Sequence, residues 1–225
     1  MIKIETVDVY GWEASIRGMR NPLNSWDKSD SKYCEPFSVK IGENDLKLMK
    51  NLSKAGADHG KFLRMITVTV DITAPLYWWK EFDTYKVGTV ANSCSTMHKI
   101  HAKEFTMDDF SYEHLMPEGT ALTELAENGK GTNVWFSPIG LLAITIGALN
   151  NYRKKYLETK DKTWWWQMIQ LLPTSYNQKR TVQLNYQVLK SMYFARRNHK
   201  LDEWQLFCSW LEELPYFKEI CLLED

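Results

Sequence analysis

The sequence has little of what marks several common classes of protein. Lys+Arg and Asp+Glu residues number 28 each over 225 residues, so no basic excess points to duplex nucleic acid or an anionic membrane surface. The four cysteines are scattered, with neither a C-x-x-C pair nor metal-ligand spacing, and we expect no metal site. No secretory signal is recognisable, so we expect reduced thiols and a cytoplasmic protein.

Long apolar runs and linker-like segments are also missing. The most apolar run, residues 141–149, is far shorter than a membrane-spanning helix requires. No stretch rich in Pro, Gly or Ser divides the chain, so we expect one domain over residues 1–225. Tryptophan, by contrast, is abundant. The ten tryptophans predict an aromatic core, a subunit interface or a stacking surface for a planar ligand, and we favour an interface for the triplet at 164–166.

Residues 64–100 are the most informative stretch. Apolar β-branched residues alternate with Thr and Asp from 66 to 73, which predicts a strand over 64–73 with one buried face. Ala74-Pro75 ends this strand, and residues 76–86 predict a helix. After Gly88 comes a loop rich in hydroxyl and amide groups. Such a loop is typical of a ligand-binding segment, and a plain polar surface loop has the same composition.

The remaining elements follow from the same patterns. Strands are predicted at residues 1–10 and within 33–42. Asn44, Ser137 and Thr163 are the predicted helix caps. The predicted helices lie at 43–56, within 110–125, and at 138–158, 164–172, 184–197 and 202–214. Together these elements predict an α+β fold, with long helices packed on a mixed or antiparallel sheet.

Two positions outside the central stretch are candidate ligand contacts. Arg17 and Arg20 could present their guanidinium groups to a phosphate, and the alternative is surface pairing with Asp27 or Asp30. His59, in the loop before the central strand, is a candidate ligand contact or acid/base group, although lone loop histidines are more often neither.

Asn185 and Arg196 bracket an apolar stripe on the predicted helix 184–197. Polar groups that face a core need hydrogen-bond partners. Arg196 therefore requires a carboxylate, a phosphate or carbonyl oxygens. An internal ion pair with Asp202 or Glu203 is the alternative to a ligand.

Two segments, KAGADHGKFLRMITVTVDITAP and LYWWKEFDTYKVGTVANSCSTMHK, run on without a gap. They present a helix ending in glycine, a His-containing loop, a strand ending in Ala-Pro and a further helix. In this order the chain resembles the flavin-dependent thymidylate synthases, whose helix runs into RHRxxSxNExSxRY. Leu172-Pro173, Asn185 and Arg196 match that family's later Leu-Pro, Asn-x-Arg and final arginine, so the resemblance covers residues 43–214.

The resemblance implies methylation of dUMP from methylene-tetrahydrofolate, FAD as hydride carrier, and a homotetramer with shared sites. It implies that Arg196 is the catalytic residue, which polarises the base. The cofactor-binding residues implied are Lys86, Tyr85, Asn185 and His59, and the substrate-binding residues are Thr89, Asn92, Ser93, Cys94 and Ser95. Arg20, which lies outside the resemblance, is a further candidate phosphate contact on its residue type alone.

The chain departs from the family where the family holds its flavin. Thr84-Tyr85-Lys86 stands in place of Arg-His-Arg, and Gln187 in place of the arginine of Asn-x-Arg. Each charge-assisted hydrogen bond contributes about 1.5–3 kcal/mol, so these losses should cost several kcal/mol of flavin affinity.

Two functions follow. The first is a divergent, methyltransferase-like enzyme that transfers a one-carbon unit to a pyrimidine nucleotide with a reduced flavin as hydride source; Cys94 is an alternative nucleophile toward C6 of the base. The second is a non-catalytic protein, encoded by a phage or prophage, that binds or sequesters a nucleotide and has kept the fold without the flavin chemistry.

Overall fold

The computed structural model describes residues 1–34, 38–119, 121–127 and 130–223. The chain divides into two compact units, and each is described by itself. The first, called here the sheet unit, comprises Ile2–Thr73, Lys80–Ser93 and Lys179–Asp225. The second, called here the helical unit, comprises Met1, Ala74–Trp79 and Cys94–Gln178. The single domain expected over residues 1–225 stays a prediction.

Eight strands and eight α-helices are formed by the described residues. The strands are Lys3–Tyr10 (β1), Lys32–Cys34 (β2), Ser38–Lys40 (β3), Thr67–Pro75 (β4), Thr89–Ser93 (β5), Ala121–Glu127 (β6), Lys130–Phe136 (β7) and Asn177–Asn185 (β8). The helices are Trp12–Arg20 (α1), Glu43–Lys54 (α2), Leu76–Phe82 (α3), Pro138–Thr159 (α4), Lys162–Leu171 (α5), Tyr186–Arg196 (α6), Asp202–Leu211 (α7) and Phe217–Cys221 (α8). The predicted α+β class is confirmed.

A four-stranded sheet in the order β1-β4-β8-β5 organises the sheet unit. Its β1–β4 and β5–β8 pairs are antiparallel. Along β4 buried and half-buried side chains alternate, because apolar side chains face the helices and three threonines with Asp71 face the other side. The strands predicted at 1–10 and 64–73 are thus confirmed as β1 and β4, and the one within 33–42 becomes the antiparallel pair β2 and β3.

Two of the four strands contradict the sequence prediction. The segment after Gly88 is strand β5 and not only a loop, and residues 177–185 form β8, which was not predicted. The helix predicted from residue 184 begins instead at Tyr186. Val182 and Leu184 are buried as inward-facing residues of a strand, a pattern too short to separate from a helix by periodicity.

The core of the sheet unit lies between the sheet and helices α1, α2, α6, α7 and α8. Fully buried side chains from these elements include Ile16, Met49, Val68, Val70, Ile72, Val182, Leu184, Leu189, Met192, Phe207, Leu211 and Phe217. Trp12 and Trp204 are buried with them, so the prediction of an aromatic core holds for these two tryptophans.

The start of α2 differs from the prediction that Asn44 caps it. Gly42 occupies the position before the helix, and the carboxylate of Asp30 accepts hydrogen bonds from the backbone N–H groups of Asn44 at 2.9 Å and Asp45 at 3.1 Å. A side chain 14 residues away in sequence thus supplies the cap, where a local pattern cannot indicate it. The predicted stop at Gly56 agrees with its φ of 97°.

In the helical unit, α4 and α5 pack around Ile100, Phe105, Phe110, Leu142, Ile146, Leu149 and Met168. Ser137 caps α4 as predicted, its Oγ accepting from the Gly140 N–H at 3.0 Å. The cap of α5 is Asp161, which accepts from the Thr163 N–H at 2.8 Å, so the prediction of Thr163 as the cap is wrong. A helix within 110–125 is also wrong, because β6 occupies Ala121–Glu127.

The tryptophan triplet lies on α5. Trp164 and Trp165 are half-buried, whereas Trp166 is 42% exposed, so at least one ring does face outward as helical geometry requires. Trp78 and Trp79, at the start of α3, are fully buried. No helix among the described residues has the length and apolar character to cross a membrane.

Candidate functional site

Arg196, the last residue of α6, is held in place by three neighbours in the sheet unit. Its Nε donates to the Tyr85 hydroxyl at 2.9 Å, and its Nη1 donates to Glu81 Oε2 at 2.7 Å. The guanidinium carbon lies 4.9 Å from the centre of the Trp204 ring and 5.5 Å from that of Tyr85, both within cation–π range. The side chain is 19% exposed, so a fixed cation remains accessible.

Glu81, on α3, gathers donors on one oxygen. Oε2 accepts from Arg196 and from Trp204 Nε1 at 3.0 Å, and His199 Nε2 lies 3.3 Å away. His199 Nδ1 accepts the N–H of Leu201, which leaves Nε2 as the nitrogen that carries a proton toward Glu81. The sequence had offered Asp202 or Glu203 as ion-pair partners of Arg196; the structure corrects this to Glu81.

A second group of predicted residues meets at the turn between α3 and β5. Gly88 adopts a φ of 75°, and a Cβ placed there would lie 3.1 Å from Asn185 Nδ2. Thr89 pairs with Leu184 across the strands and faces the same buried side, and its Oγ1 is buried without a hydrogen-bond partner among the described residues. Lys86 is exposed beside it. An ammonium and an orphaned hydroxyl at one turn suit an anionic oxygen.

Asn185 is primarily the N-cap of α6, because its Oδ1 accepts from the Val188 N–H at 3.0 Å. It therefore begins the same helix that Arg196 ends. Eleven residues at 1.5 Å each separate their backbone positions by about 16 Å along the axis. Asn185 and Arg196 therefore lie at opposite ends of one helix.

The other predicted substrate residues are distributed differently from the expectation. Asn92 lies three residues from Thr89 on β5 and so points to the opposite face, whereas Ser93 shares the face of Thr89. Ser95 Oγ accepts from two local N–H groups, those of residues 97 and 98, and stabilises a turn in the helical unit. Cys94 is exposed, and its carbonyl accepts from Gln178 at 2.7 Å.

Arg20 requires a correction. Its side chain is 4% exposed, and its Nε donates to Asp45 Oδ1 at 2.7 Å. The other two nitrogens donate to the carbonyl oxygens of Ser25 and Lys28. The donors predicted for a ligand phosphate are thus used inside the protein, and the partner is Asp45, not the predicted Asp27 or Asp30.

His59 is exposed and lines a groove of about 640 Å³ with Leu48, Leu52, Lys61 and Phe62 among its walls. No other residue predicted for the cofactor or substrate lines this groove. The structure therefore does not join His59 to the group around Arg196.

The sequence analysis missed Glu81 and Trp204, which contact Arg196, and His199, which lies beside Glu81. Glu81 is separated from Arg196 by 115 positions, so no local spacing could have paired them. The available signal was the pair of carboxylates, Glu81 and Asp83, in the aromatic segment that precedes Thr84-Tyr85-Lys86.

Three of the four residues predicted to hold FAD have other contacts or another location in the structure, and their role stays a prediction. The Tyr85 hydroxyl accepts from Arg196, Asn185 uses its carbonyl oxygen as a helix cap, and His59 lines a separate groove. Lys86 then remains as the one permanently charged cation of the four, against a pyrophosphate that basic groups normally neutralise.

Solved structures match this fold over most of the chain. Thymidylate synthase X from Helicobacter pylori, solved with FAD and dUMP, matches 98% of this chain and 97% of its own at a TM-score of 0.65 and 16% identity. A UMP/dUMP methylase, PolB from Streptomyces cacaoi bound with 5-Br dUMP, matches 87% of this chain and 77% of its own at a TM-score of 0.55 and 17% identity. No protein-family model matches the chain, and neither does any curated protein. The chain has the thymidylate synthase X fold, as its sequence led us to expect.

Proposed function

We propose that this protein binds a pyrimidine nucleoside monophosphate related to dUMP, with Arg196 at the base and the turn from Lys86 to Thr89 at the phosphate. The observation that carries the proposal is Arg196 itself. Tyr85 and Glu81 fix its Nε and Nη1, while its remaining amino group, Nη2, has no hydrogen bond within the described part of the chain. A fixed guanidinium with one free donor group suits a carbonyl oxygen or ring nitrogen of a base.

The turn at Lys86 complements this arrangement. Tyr85 contacts Arg196, so the next residue along the chain begins near the base. The Lys86 ammonium is a mobile point charge, and the buried Thr89 hydroxyl lacks a partner among the residues described. Both would be satisfied by phosphate oxygens. The solved proteins that share the fold were crystallised with uridine nucleotides, which supports the same ligand class.

Equilibrium binding tests this proposal with a matched pair of variants. Arg196→Lys removes the planar fork but keeps the charge, and Arg197→Lys makes the same change one residue further on, at an exposed side chain over the Phe194 ring. Isothermal titration with dUMP and dCMP should show at least about tenfold weaker binding for Arg196→Lys and little change for Arg197→Lys. Equal affinities for the two variants, or no binding by the wild type, would overturn the proposal.

Lys86→Ala tests the phosphate contact separately from the contact to the base. It should weaken binding of the nucleoside monophosphate while leaving the weaker binding of the free nucleoside unchanged. An equal loss for both ligands would contradict a phosphate contact at Lys86.

A second candidate function is flavin-mediated one-carbon transfer to the same nucleotide, with FAD as cofactor. The near-complete overlap with a protein solved with FAD and dUMP favours it. Anaerobic titration with FAD, followed by absorbance, tests it directly. Saturable binding that Lys86→Ala or Asn185→Ala weakens would support the enzyme. If FAD does not bind, the nucleotide-sequestering function stands, and bound nucleotide should be released unchanged.

Assembly and location are part of the same proposal. We infer a homotetramer in the cytoplasm: the resemblance of the sequence to the flavin-dependent thymidylate synthases implies the tetramer, the scattered cysteines suggest a reducing compartment, and subunit contact would cover the exposed Trp166. Light scattering of the purified protein measures the assembly directly, and a monomeric mass would contradict it.

A further inference from the structure

Glu81 and Arg196 form an ion pair with a single close contact, which leaves a polar atom of each group free. Arg196 Nη1 donates to Glu81 Oε2 at 2.7 Å, and Trp204 Nε1 donates to the same oxygen at 3.0 Å. Glu81 Oε1 and Arg196 Nη2 have no hydrogen bond within the ranges the structure describes. The two side chains are 35% and 19% exposed, so a ligand can reach this pair of atoms.

The pair is also fixed before any ligand arrives. Tyr85 holds Arg196 Nε, and the Trp204 ring lies against the guanidinium at 4.9 Å. Trp204 and His199 meanwhile orient the Glu81 carboxylate through Oε2. Groups whose rotamers are locked in this way lose little entropy when they bind a ligand.

The charge balance favours a neutral ligand group at this position. A guanidinium paired with a carboxylate presents a much smaller net positive charge than a lone arginine. The pair therefore suits the hydrogen-bonding edge of a heterocycle better than a phosphate. The Glu81–Arg196 pair presents one hydrogen-bond acceptor, Glu81 Oε1, next to the two N–H donors of Arg196 Nη2.

We propose that Glu81 Oε1 and Arg196 Nη2 bind the base edge together and select cytosine over uracil. This rests on the proposed binding of a pyrimidine nucleoside monophosphate. Cytosine presents an amino donor followed by two acceptors, N3 and O2, and a carboxylate is the usual partner of that amino group. The acceptor–donor order of Glu81 and Arg196 complements this edge.

Uracil fits the same two groups less well. Its edge presents an acceptor, a donor and a second acceptor. If N3–H donates to Glu81, one carbonyl meets Arg196 and the other faces the carboxylate without a donor. An anionic oxygen beside a carbonyl oxygen is repulsive, so selectivity arises from the repulsion as well as from the new hydrogen bond.

Titration of dCMP and dUMP into the wild type, Glu81→Gln and Glu213→Gln tests the inference. The wild type should bind dCMP at least about tenfold more tightly than dUMP. Glu81→Gln should abolish or reverse that ratio, because an amide can donate to a carbonyl. The exposed Glu213 is a matched control, and its variant should keep the wild-type ratio. Glu81→Asp, with circular dichroism of every variant, separates a binding effect from misfolding.

The outcomes distinguish this inference from the function on which it rests. Equal wild-type affinities for dCMP and dUMP would overturn cytosine selection and leave nucleotide binding standing. A preference for dCMP that survives in folded Glu81→Gln would show that Glu81 does not read the base. Failure of both nucleotides to bind would overturn the proposed function and this inference together.

Discussion

Arg20 Nε donates to Asp45 Oδ1 across 2.7 Å, and the two side chains are 4% and 0% exposed. The second oxygen of Asp45 accepts from the hydroxyls of Ser29 and Ser31 and from the backbone N–H groups of Asp30 and Ser31. This carboxylate thus joins the end of α1 and the turn after it to the first turn of α2. A buried charge with this many partners is costly to leave unpaired.

Asp45→Asn should lower the free energy of unfolding by about 3–5 kcal/mol, because it leaves the buried Arg20 guanidinium without its counter-charge. Urea unfolding followed by circular dichroism measures the change. Asp27→Asn, an exposed carboxylate in the same turn region, should change stability by no more than about 0.5 kcal/mol. Comparable effects of the two substitutions would show that the buried pair contributes no more than a surface charge.

The acid limb of the stability curve should depend on Asp45. Burial alone would raise the pKa of this carboxyl, but hydrogen bonds from Ser31, Arg20 and Ser29 outweigh that effect and hold the pKa below its ordinary value of 3.8. The folded state therefore binds fewer protons than the unfolded state near this pH. The stabilisation is complete above the unfolded pKa and is lost as the pH falls through the lower folded pKa.

Unfolding measured between about pH 5 and pH 2 checks this, since the wild type should lose its advantage over Asp45→Asn across that range. A constant difference between the two proteins would contradict a depressed pKa at Asp45.

Local sequence patterns correctly predicted the elements that a few consecutive residues determine. The alternation in β4 and the Ser137-Pro138 start of α4 are written into a few consecutive residues, and both are confirmed. Strand β8 has two deeply buried apolar residues, Val182 and Leu184, next to a strong helix pattern. The predicted helix therefore includes the last residues of this strand. Periodicity cannot separate the two states over so short a run.

The site depended on long-range pairings that no sequence spacing reveals. Arg196 pairs with Glu81, which lies 115 positions away in the sequence, and Arg20 pairs with Asp45, which lies 25 positions away. In both places the arginine was recognised as needing a partner, and the partner named from nearby sequence was wrong. The requirement for a counter-charge follows from the residue type, whereas its identity follows from the fold.

Gly88 and Gly56 form a natural comparison. Both have positive φ, 75° and 97°, but a Cβ at Gly88 would lie 3.1 Å from Asn185 Nδ2 and Val188 Cγ2, whereas nothing lies within 4 Å at Gly56. Each alanine substitution should lower the free energy of unfolding by about 1–2 kcal/mol through backbone strain. Gly88→Ala should lower it further, because the neighbouring side chains of Asn185 and Val188 must move. Thermal unfolding of both variants checks this order. Equal decreases would mean that the side chains around Gly88 move aside at no cost in free energy.

The described cysteines should differ sharply in reactivity. Burial raises the pKa of Cys208 to about 11 and that of Cys221 to about 12, whereas Cys94 is exposed. With Cys34 replaced by Ser, a thiol reagent at pH 8 should modify Cys94 quickly and the other two only on unfolding. Cys94→Ser should remove the fast phase. A fast phase that persists would place a second accessible thiol in the native state.

Asn185 allows a helix-capping role to be separated from ligand binding. Asn185→Ala should cost about 1 kcal/mol of stability through loss of the α6 cap, while Asn185→Ser should retain most of it. The two variants should nevertheless lose FAD affinity to the same extent if the amide contacts the flavin. Unfolding and anaerobic titration of both proteins measure these effects independently. Affinity that instead follows stability would assign Asn185 to capping alone.

The position of Trp204 has an optical consequence. Its indole N–H donates to Glu81 and its ring lies 4.9 Å from the Arg196 guanidinium, so any molecule that engages this pair changes the electric field at the chromophore. The emission of this indole should therefore shift when the site fills. The difference between wild type and Trp204→Phe isolates it from the nine other tryptophans of the ten in the chain. The protein thus carries its own fluorescent probe of occupancy, with no added label.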